Sequence, residues 1–426
     1  MPALARAQNT TAGQAQASEP PVTDHDVLDT LFENGDHPDL LDGTLSVEGD
    51  MIDDALSRSR FQRQLLLGPW FAFKKNLEEQ TGLRIGGSYG VLWQNYSTSL
   101  IGVDDAVGSK FTLNLSYDVL NRGRPDALTF DMAVEDRRPL GTPLAPLQAG
   151  LATGSAVPTV GTWGDFSIGV TQAYFRQSLF DNRFQYAVGK LFAPNFVDAY
   201  PLFDDNRQFL SLAFTTSPTI PVPLRGFGAV AAGYPTSGNL YVKGGIFTTR
   251  SSDTGSTISD FFTVDEHFYF TEIGWSGSAG AGVPIQARGP MDANNVHLTL
   301  WYRDPLENGS PRAYGLAWNA NFTVGDRAMW FLRGGWSDGW LADLNFSGGW
   351  AWRPANAPTD MLGVAVGWVR PSNRILNSQW TAETFYRFQI TRNVALTPDL
   401  QYVINPTLNP TKNSLFVFSF RTRVSF

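Results

Sequence analysis

The last thirteen residues, Ser414 to Phe426, leave few folds open to this chain. Side chains alternate between the two faces of a strand. One face would carry Phe416, Phe418, Phe420, Thr422, Val424 and Phe426, the other Leu415, Val417, Ser419, Arg421, Arg423 and Ser425. A soluble sheet could bury the aromatic face, but the two arginines opposite must then stay in water. Lipid on one side and a water-filled lumen on the other satisfies both faces, which is the pattern of a transmembrane β-barrel. The pattern must recur elsewhere to carry weight.

It recurs from Gly82 onward. Candidate strands fall at 82–96, 109–119, 126–136, 165–178, 182–191, 207–216, 226–234, 239–249, 266–276, 296–303, 312–323, 328–337, 341–353, 361–370, 379–390, 394–404 and 414–426. Phe111, Leu113, Leu115, Tyr117 and Val119 oppose Lys110, Thr112, Asn114, Ser116 and Asp118. Leu128, Phe130, Met132 and Val134 oppose Thr129, Asp131 and Glu135. Charge keeps to one face and aromatics crowd the other, as interfacial girdles require. Pro398 stands inside one candidate strand, where it removes a ladder hydrogen bond and suggests a bulge.

That makes seventeen candidates, whereas single-chain bacterial barrels close with an even number. Tight turns should share one end of the barrel. Thr391–Asn393, Val324–Arg327 and Pro235–Gly238, counted back from the C-terminus, fall at the same end. So do Asn121–Pro125 and Leu179–Gln185, counted forward. The two counts agree only if 207–216 does not span. The expectation is therefore a 16-stranded antiparallel barrel over 82–426, with 18 strands as the alternative. Residues 192–225 become a long third external loop that can fold inward. Barrels of this size leave an aqueous channel.

Composition excludes other classes. The 426 residues include no cysteine, so neither disulfides nor thiolate metal sites are available. A net charge of −8 argues against nucleic acid as a partner. The longest uncharged run, Pro139 to Gly164, carries Pro143, Pro146 and Pro158 and reads as a loop rather than a membrane helix. The histidines are His25, His37, His267 and His297, with no Gly-x-Ser-x-Gly motif or paired metal ligand beside them. No enzyme, metal or cofactor is expected.

Residues 1–60 read as a flexible polar lead-in. Ala5-Arg6-Ala7 before Gln8 has the small-residue character of a cleavage site, so 1–7 is expected to be a signal-peptide remnant, with an Ala-rich tail as the alternative. Over 61–81 a short amphipathic helix is expected, with Pro69 before Trp70 and Gly82 after Thr81.

The polar faces nominate a pore wall: Arg84, Lys110, Asp118, Asp131, Glu135, Lys243, Glu272, Arg303, Arg333, Asp343, Glu383, Arg387, Asp399, Arg421 and Arg423. Charges of both signs suit neutral polyhydroxylated solutes better than one ion type. Trp301, Phe331 and Phe385 share that face, either stacking on sugar rings or packing under the inward loop. Asp198, Asp204, Asp205, Asn206 and Arg207 are the charged part of the loop, expected to oppose wall arginines across a narrow eyelet.

Several patches resemble the carbohydrate-selective porins of the OprB type in Gram-negative outer membranes. They are Trp70 to Tyr89, Ala173 to Phe180 with Tyr186 to Leu191, and Glu383 to Arg387 followed by Leu396 to Tyr402 and Asn405-Pro406. The resemblance spans roughly 61–426. It implies a 16-stranded porin admitting small sugars, in contact with outer-membrane lipids and the assembly machinery, as a monomer or homotrimer. Phe426 resembles the aromatic terminal residue of the outer-membrane assembly signal. The alternative function is a structural or accessory barrel of an export system without sugar selectivity.

Overall fold

The computed structural model describes residues 37–41, 43–57, 67–236, 238–278, 293–325 and 327–426. Sixteen antiparallel strands close on themselves, each hydrogen-bonded to its neighbours in sequence and the first to the last. They are β1 Leu83–Tyr96, β2 Asp105–Leu120, β3 Leu128–Pro139, β4 Phe166–Leu179, β5 Phe184–Phe192, β6 Arg225–Gly233, β7 Leu240–Thr248 and β8 His267–Ser278. Then follow β9 Ala293–Arg303, β10 Ala313–Val324, β11 Ala328–Asp338, β12 Ala342–Trp352, β13 Met361–Pro371, β14 Gln379–Thr391, β15 Val394–Ile404 and β16 Ser414–Ser425. Every spanning strand expected from alternation is present. The segment 207–216 is not a strand; it lies in the loop between β5 and β6 and holds one helical turn, Leu212–Thr215.

The period-two pattern sorts the side chains as anticipated. Phe416, Phe418, Phe420 and Val424 face outward and exposed, while Leu415, Val417, Arg421 and Arg423 are buried inside. Outer aromatics pair across strands, for example Trp330 with Trp350, Trp368 with Trp380 and Tyr402 with Phe416. Pro398 now has a physical account. The β14–β15 pairing runs from Phe385↔Asp399 to Phe388↔Leu396 and skips the two positions that include Pro398, which has no N–H to donate. On its other side Pro398 pairs in register with Phe420 of β16.

Outside the strands, α1 spans Val47–Leu56 and α2 spans Gly68–Thr81. Pro near the start of α2 and a left-handed Gly82 (φ 77°) at its end are the punctuation read from sequence. The expectation of a loose lead-in needs correcting over 37–57. Ser46 caps α1 by accepting from the Gly49 N–H at 3.0 Å, and Val47, Gly49 and Asp50 are buried. Residues 1–36, with the expected cleavage site and His25, and 58–66, lie outside the described residues, as does 279–292, most of the β8–β9 connection.

The barrel seam is β1 against β16, in register from Ser88↔Ser425 to Tyr96↔Val417. Phe426 extends it: its N–H donates to the Gly87 carbonyl (2.8 Å) and its carbonyl accepts from the Gly87 N–H (3.1 Å). Its ring stacks on Phe111, and a Cβ at Gly87 would come within 2.7 Å of that ring. Removing Phe426 deletes two hydrogen bonds and one ring contact, each about 1 kcal/mol. The expected outcome is a smaller heat-modifiable folded fraction on a gel, with normal conductance for the barrels that do form. An unchanged folded fraction would show that the seam does not need it.

Candidate functional site: the barrel lumen

The loop between β5 and β6, residues 193–224, folds into the barrel. Phe196, Leu202, Phe209, Leu210 and Phe214 are fully buried there. Phe209 packs on Phe385 of β14 and Phe331 of β11, with ring centroids at 5.0 and 6.0 Å, and Tyr200 also meets Phe331. Polar anchors complete the fit. The Arg421 guanidinium donates to the carbonyls of Asp205 (2.6 Å) and Gln208 (3.0 Å). Glu383 accepts from the backbone N–H groups of Leu210 (2.5 Å) and Ser211 (3.0 Å). Arg333 pairs with Asp198 at 2.5 Å and donates to the Phe214 carbonyl at 3.2 Å.

Asp198 adopts φ 52°, a left-handed conformation that its short polar side chain tolerates. Its other oxygen meets His297 Nε2 at 3.0 Å, and its N–H donates to Glu272. Glu272 in turn holds Lys243 at 2.8 Å and accepts from Tyr241 and Thr299. Elsewhere on the inner side Lys110 donates to Thr162 (2.7 Å), while Glu135 lies between Arg137 and Arg225. Beside them a small cleft is lined by Lys110, Glu135, Arg137, Thr162, Arg225, Asn206 and Asp50, among others.

Two further segments enter the lumen. Loop 140–165 contributes Trp163, and Thr162, whose N–H and hydroxyl both donate to the Asp205 carboxylate. Residues 37–57 form a strap across the lumen near the tight turns. At one wall the Pro38 carbonyl accepts from Tyr234 and Gln185, and His37 stacks on Tyr234 at 4.5 Å. At the other, Asp50 and Asp54 pair with Arg423 of β16, at 3.2 and 2.5 Å between closest atoms. Both carboxylates also reach Arg207 of the inward loop, at 2.6 and 3.0 Å. Glu48 pairs with Arg176 and approaches Arg84.

These surroundings set the acids of the strap apart. Burial pushes Asp53 up to about 7, against the attraction of Arg207. Burial also raises Asp54, but Arg423 and Arg207 outweigh it and hold that carboxyl at about 2.

The family model of the carbohydrate-selective porin, OprB family, matches residues 298–426. Over that stretch the chain is similar to the OprB family. A porin of Chlamydia abortus, Porin AaxA, is 22% identical over 380 residues, covering 84% of this chain and 75% of the relative. Two structures of Pseudomonas putida OprB, at high and low pH, superpose with TM-scores of 0.66 and 0.51 at 15% and 16% identity. Each match covers 87% of this chain and 99% of the other.

Within this OprB-like barrel, the wall residues read from sequence all lie on the inner side, buried or half-buried, but their partners differ from expectation. Asp204 does not face the wall; it pairs with Arg207 of its own loop at 2.6 Å. Asp205 turns its carboxylate to Thr162, and only Asp198 meets a wall arginine. The loop is pressed onto the wall through Phe209, Arg421 and Glu383. Phe331 and Phe385 are closed off beneath Phe209, and Trp301 stacks on Phe268, so none of the three offers a free face to a sugar. Arg84 pairs with Asp118 at 3.1 Å and Asp343 with Arg370 at 2.9 Å. Arg176 approaches Asp131 at 3.9 Å. Arg303 donates to the Pro311 carbonyl, Arg387 to that of Thr359, and Gln401 donates to Asp399. The sequence reading missed Arg137, Arg176, Arg225 and the strap acids. Arg176 lies on the candidate strand 165–178 and could have been nominated by its inward phase, whereas Arg137 and Arg225 each fall one residue outside the candidate strands 126–136 and 226–234.

Truncating Arg333 to Gln leaves Asp198 buried without its guanidinium, a loss of about 3–5 kcal/mol. Arg333→Gln should render 193–224 sensitive to limited proteolysis while the barrel stays folded; equal resistance would show that Arg333 does not anchor the loop. Docking of the strap should also depend on pH at both ends. Asp54 (ordinarily 3.8, about 2 when docked) contributes stability that is lost as pH falls from 3.8 towards 2. Asp53 (ordinarily 3.8, about 7 when docked) contributes stability that is lost as pH rises through 7. Hydrogen exchange of 47–56 should be slowest between these limits, and a profile without this maximum would contradict the assignment.

Proposed function

We propose that this protein is a porin of the Gram-negative outer membrane that lets small hydrophilic solutes diffuse passively, with a preference for sugars. The observation that carries this reading is the inward loop 193–224 seated on a wall whose charges of both signs are paired with one another, with the loop and with the strap. A wall of paired charges exerts little net field on a simple ion, yet offers donors and acceptors that exchange hydrogen bonds with hydroxyls. The match of 298–426 to the carbohydrate-selective family supports the sugar preference. On this reading the outer apolar surface meets lipid, the tight turns face the periplasm, and the assembly machinery inserts the barrel as a monomer or a homotrimer.

Reconstituted barrels should swell liposomes in glucose several-fold faster than in a trisaccharide, and conduct weakly in planar bilayers with small ion selectivity. Folded protein that passes no sugar would instead favour an accessory barrel of an export system.

A further inference from the structure

The strap is acidic throughout: Asp39, Glu48, Asp50, Asp53 and Asp54 are among its described residues, and it holds no lysine or arginine. Its carboxylates meet guanidiniums supplied by the barrel and its loop. Arg423 finds its described carboxylate partners only in the strap, at Asp50 and Asp54. Arg207 shares those two carboxylates and has one other short partner, Asp204. The cleft lined by Asp50 continues onto Lys110, Arg137 and Arg225, with Glu135 the wall acid among them and Asp253 paired to Arg225 at 2.8 Å. Nε of Arg423 and Nε of Arg225 are buried without a hydrogen-bond partner. Without the strap, the lumen would present a run of cations with too few acids to pair them. An unpaired buried guanidinium must take up water or an anion, and its planar fork matches a carboxylate best.

We propose that the cationic wall beneath the strap is a binding site for carboxylate-bearing hydrophilic solutes such as sugar acids, in which Asp50 and Asp54 stand as a tethered substitute for the solute carboxylate. The inference rests on the porin reading and adds a substrate class to it. A sugar acid entering from the long-loop end meets Lys110, Arg137 and Arg225 first. It then competes with Asp50 and Asp54 for Arg207 and Arg423, and the strap yields as the solute passes. Neutral sugars lack the group that competes for these guanidiniums.

The strap can be tested without touching a charge. A Cβ built at Gly86 of β1 lies 3.7 Å from Met51 Cβ of α1, within the range of a disulfide. The chain contains no other cysteine to interfere. Met51→Cys with Gly86→Cys should therefore lock the strap when oxidised and free it when reduced.

In planar bilayers, glucuronate should reduce the potassium chloride current of the wild-type barrel at least ten-fold more effectively than glucose, with inorganic phosphate as a further arm. Oxidising the cysteine pair should abolish the glucuronate effect and reduction should restore it. Asp50→Asn with Asp54→Asn should raise conductance several-fold and shift the reversal potential in a salt gradient towards anions. Equal effects of glucuronate and glucose, or a glucuronate effect indifferent to the lock, would overturn the proposal. Phosphate acting as strongly as glucuronate would also overturn it, reducing the site to a general anion sink. If the double Asn variant fails to fold, the cysteine pair still decides. Glucose swelling of liposomes separates the two readings: glucose entry without a glucuronate effect defeats this inference alone, and the converse defeats the sugar preference alone.

Discussion

In hydrocarbon no water is available to satisfy a backbone N–H or C=O, and each one left unpaired costs several kcal/mol. A sheet in that setting has to close. Everything in this protein depends on β16 returning to β1, in register from Ser88↔Ser425 to Tyr96↔Val417 and continued by the reciprocal bonds of Phe426 with Gly87. Once closed, the sheet leaves alternate side chains facing lipid and the rest facing inward. The outer set is chosen by the membrane: Leu298, Leu300, Tyr302 and Leu332 are exposed because lipid would cover them. The inner set can be polar only because something inside answers it.

Three chain segments supply that answer, and Arg207 joins two of them to each other. Carried by the inward loop, its guanidinium pairs with Asp204 on the same loop and with Asp50 and Asp54 on the strap. The same strap carboxylates hold Arg423 of the last strand. Asp205 binds the second inward loop through Thr162. Two loops, the strap and the wall thus form one charged network. Removing any one member would leave a buried charge with fewer partners, which costs more than the pair itself contributes.

The wall was legible in the sequence because its signal is local. Arg421 and Arg423 alternate with Phe420 and Val424 within a few residues, and parity of the tight turns was enough to reject 207–216 as a strand. Pro398 was legible as an anomaly whose cause needed the pairing of β14 and β15. The strap was not legible. Asp54 lies 369 residues from Arg423, and without that partner an acidic stretch is indistinguishable from a solvated tail. Likewise Trp301, Phe331 and Phe385 had the right phase to face inward, but phase cannot say whether Phe209 or a solute lies against the ring.

The inward loop and the strap are held by different forces. Phe196, Leu202, Phe209, Leu210 and Phe214 are each fully buried from the loop, at about 1.5–3 kcal/mol apiece. The described strap fully buries only Leu41 and Val47 among its larger apolar residues. The remainder of its attachment is charge and hydrogen bonding. A buried ion pair roughly breaks even against its desolvation. A competing carboxylate can take the place of one member of such a pair and leaves apolar burial intact. The inward loop is therefore held chiefly by apolar burial, whereas the strap's attachment is open to competition from other acids.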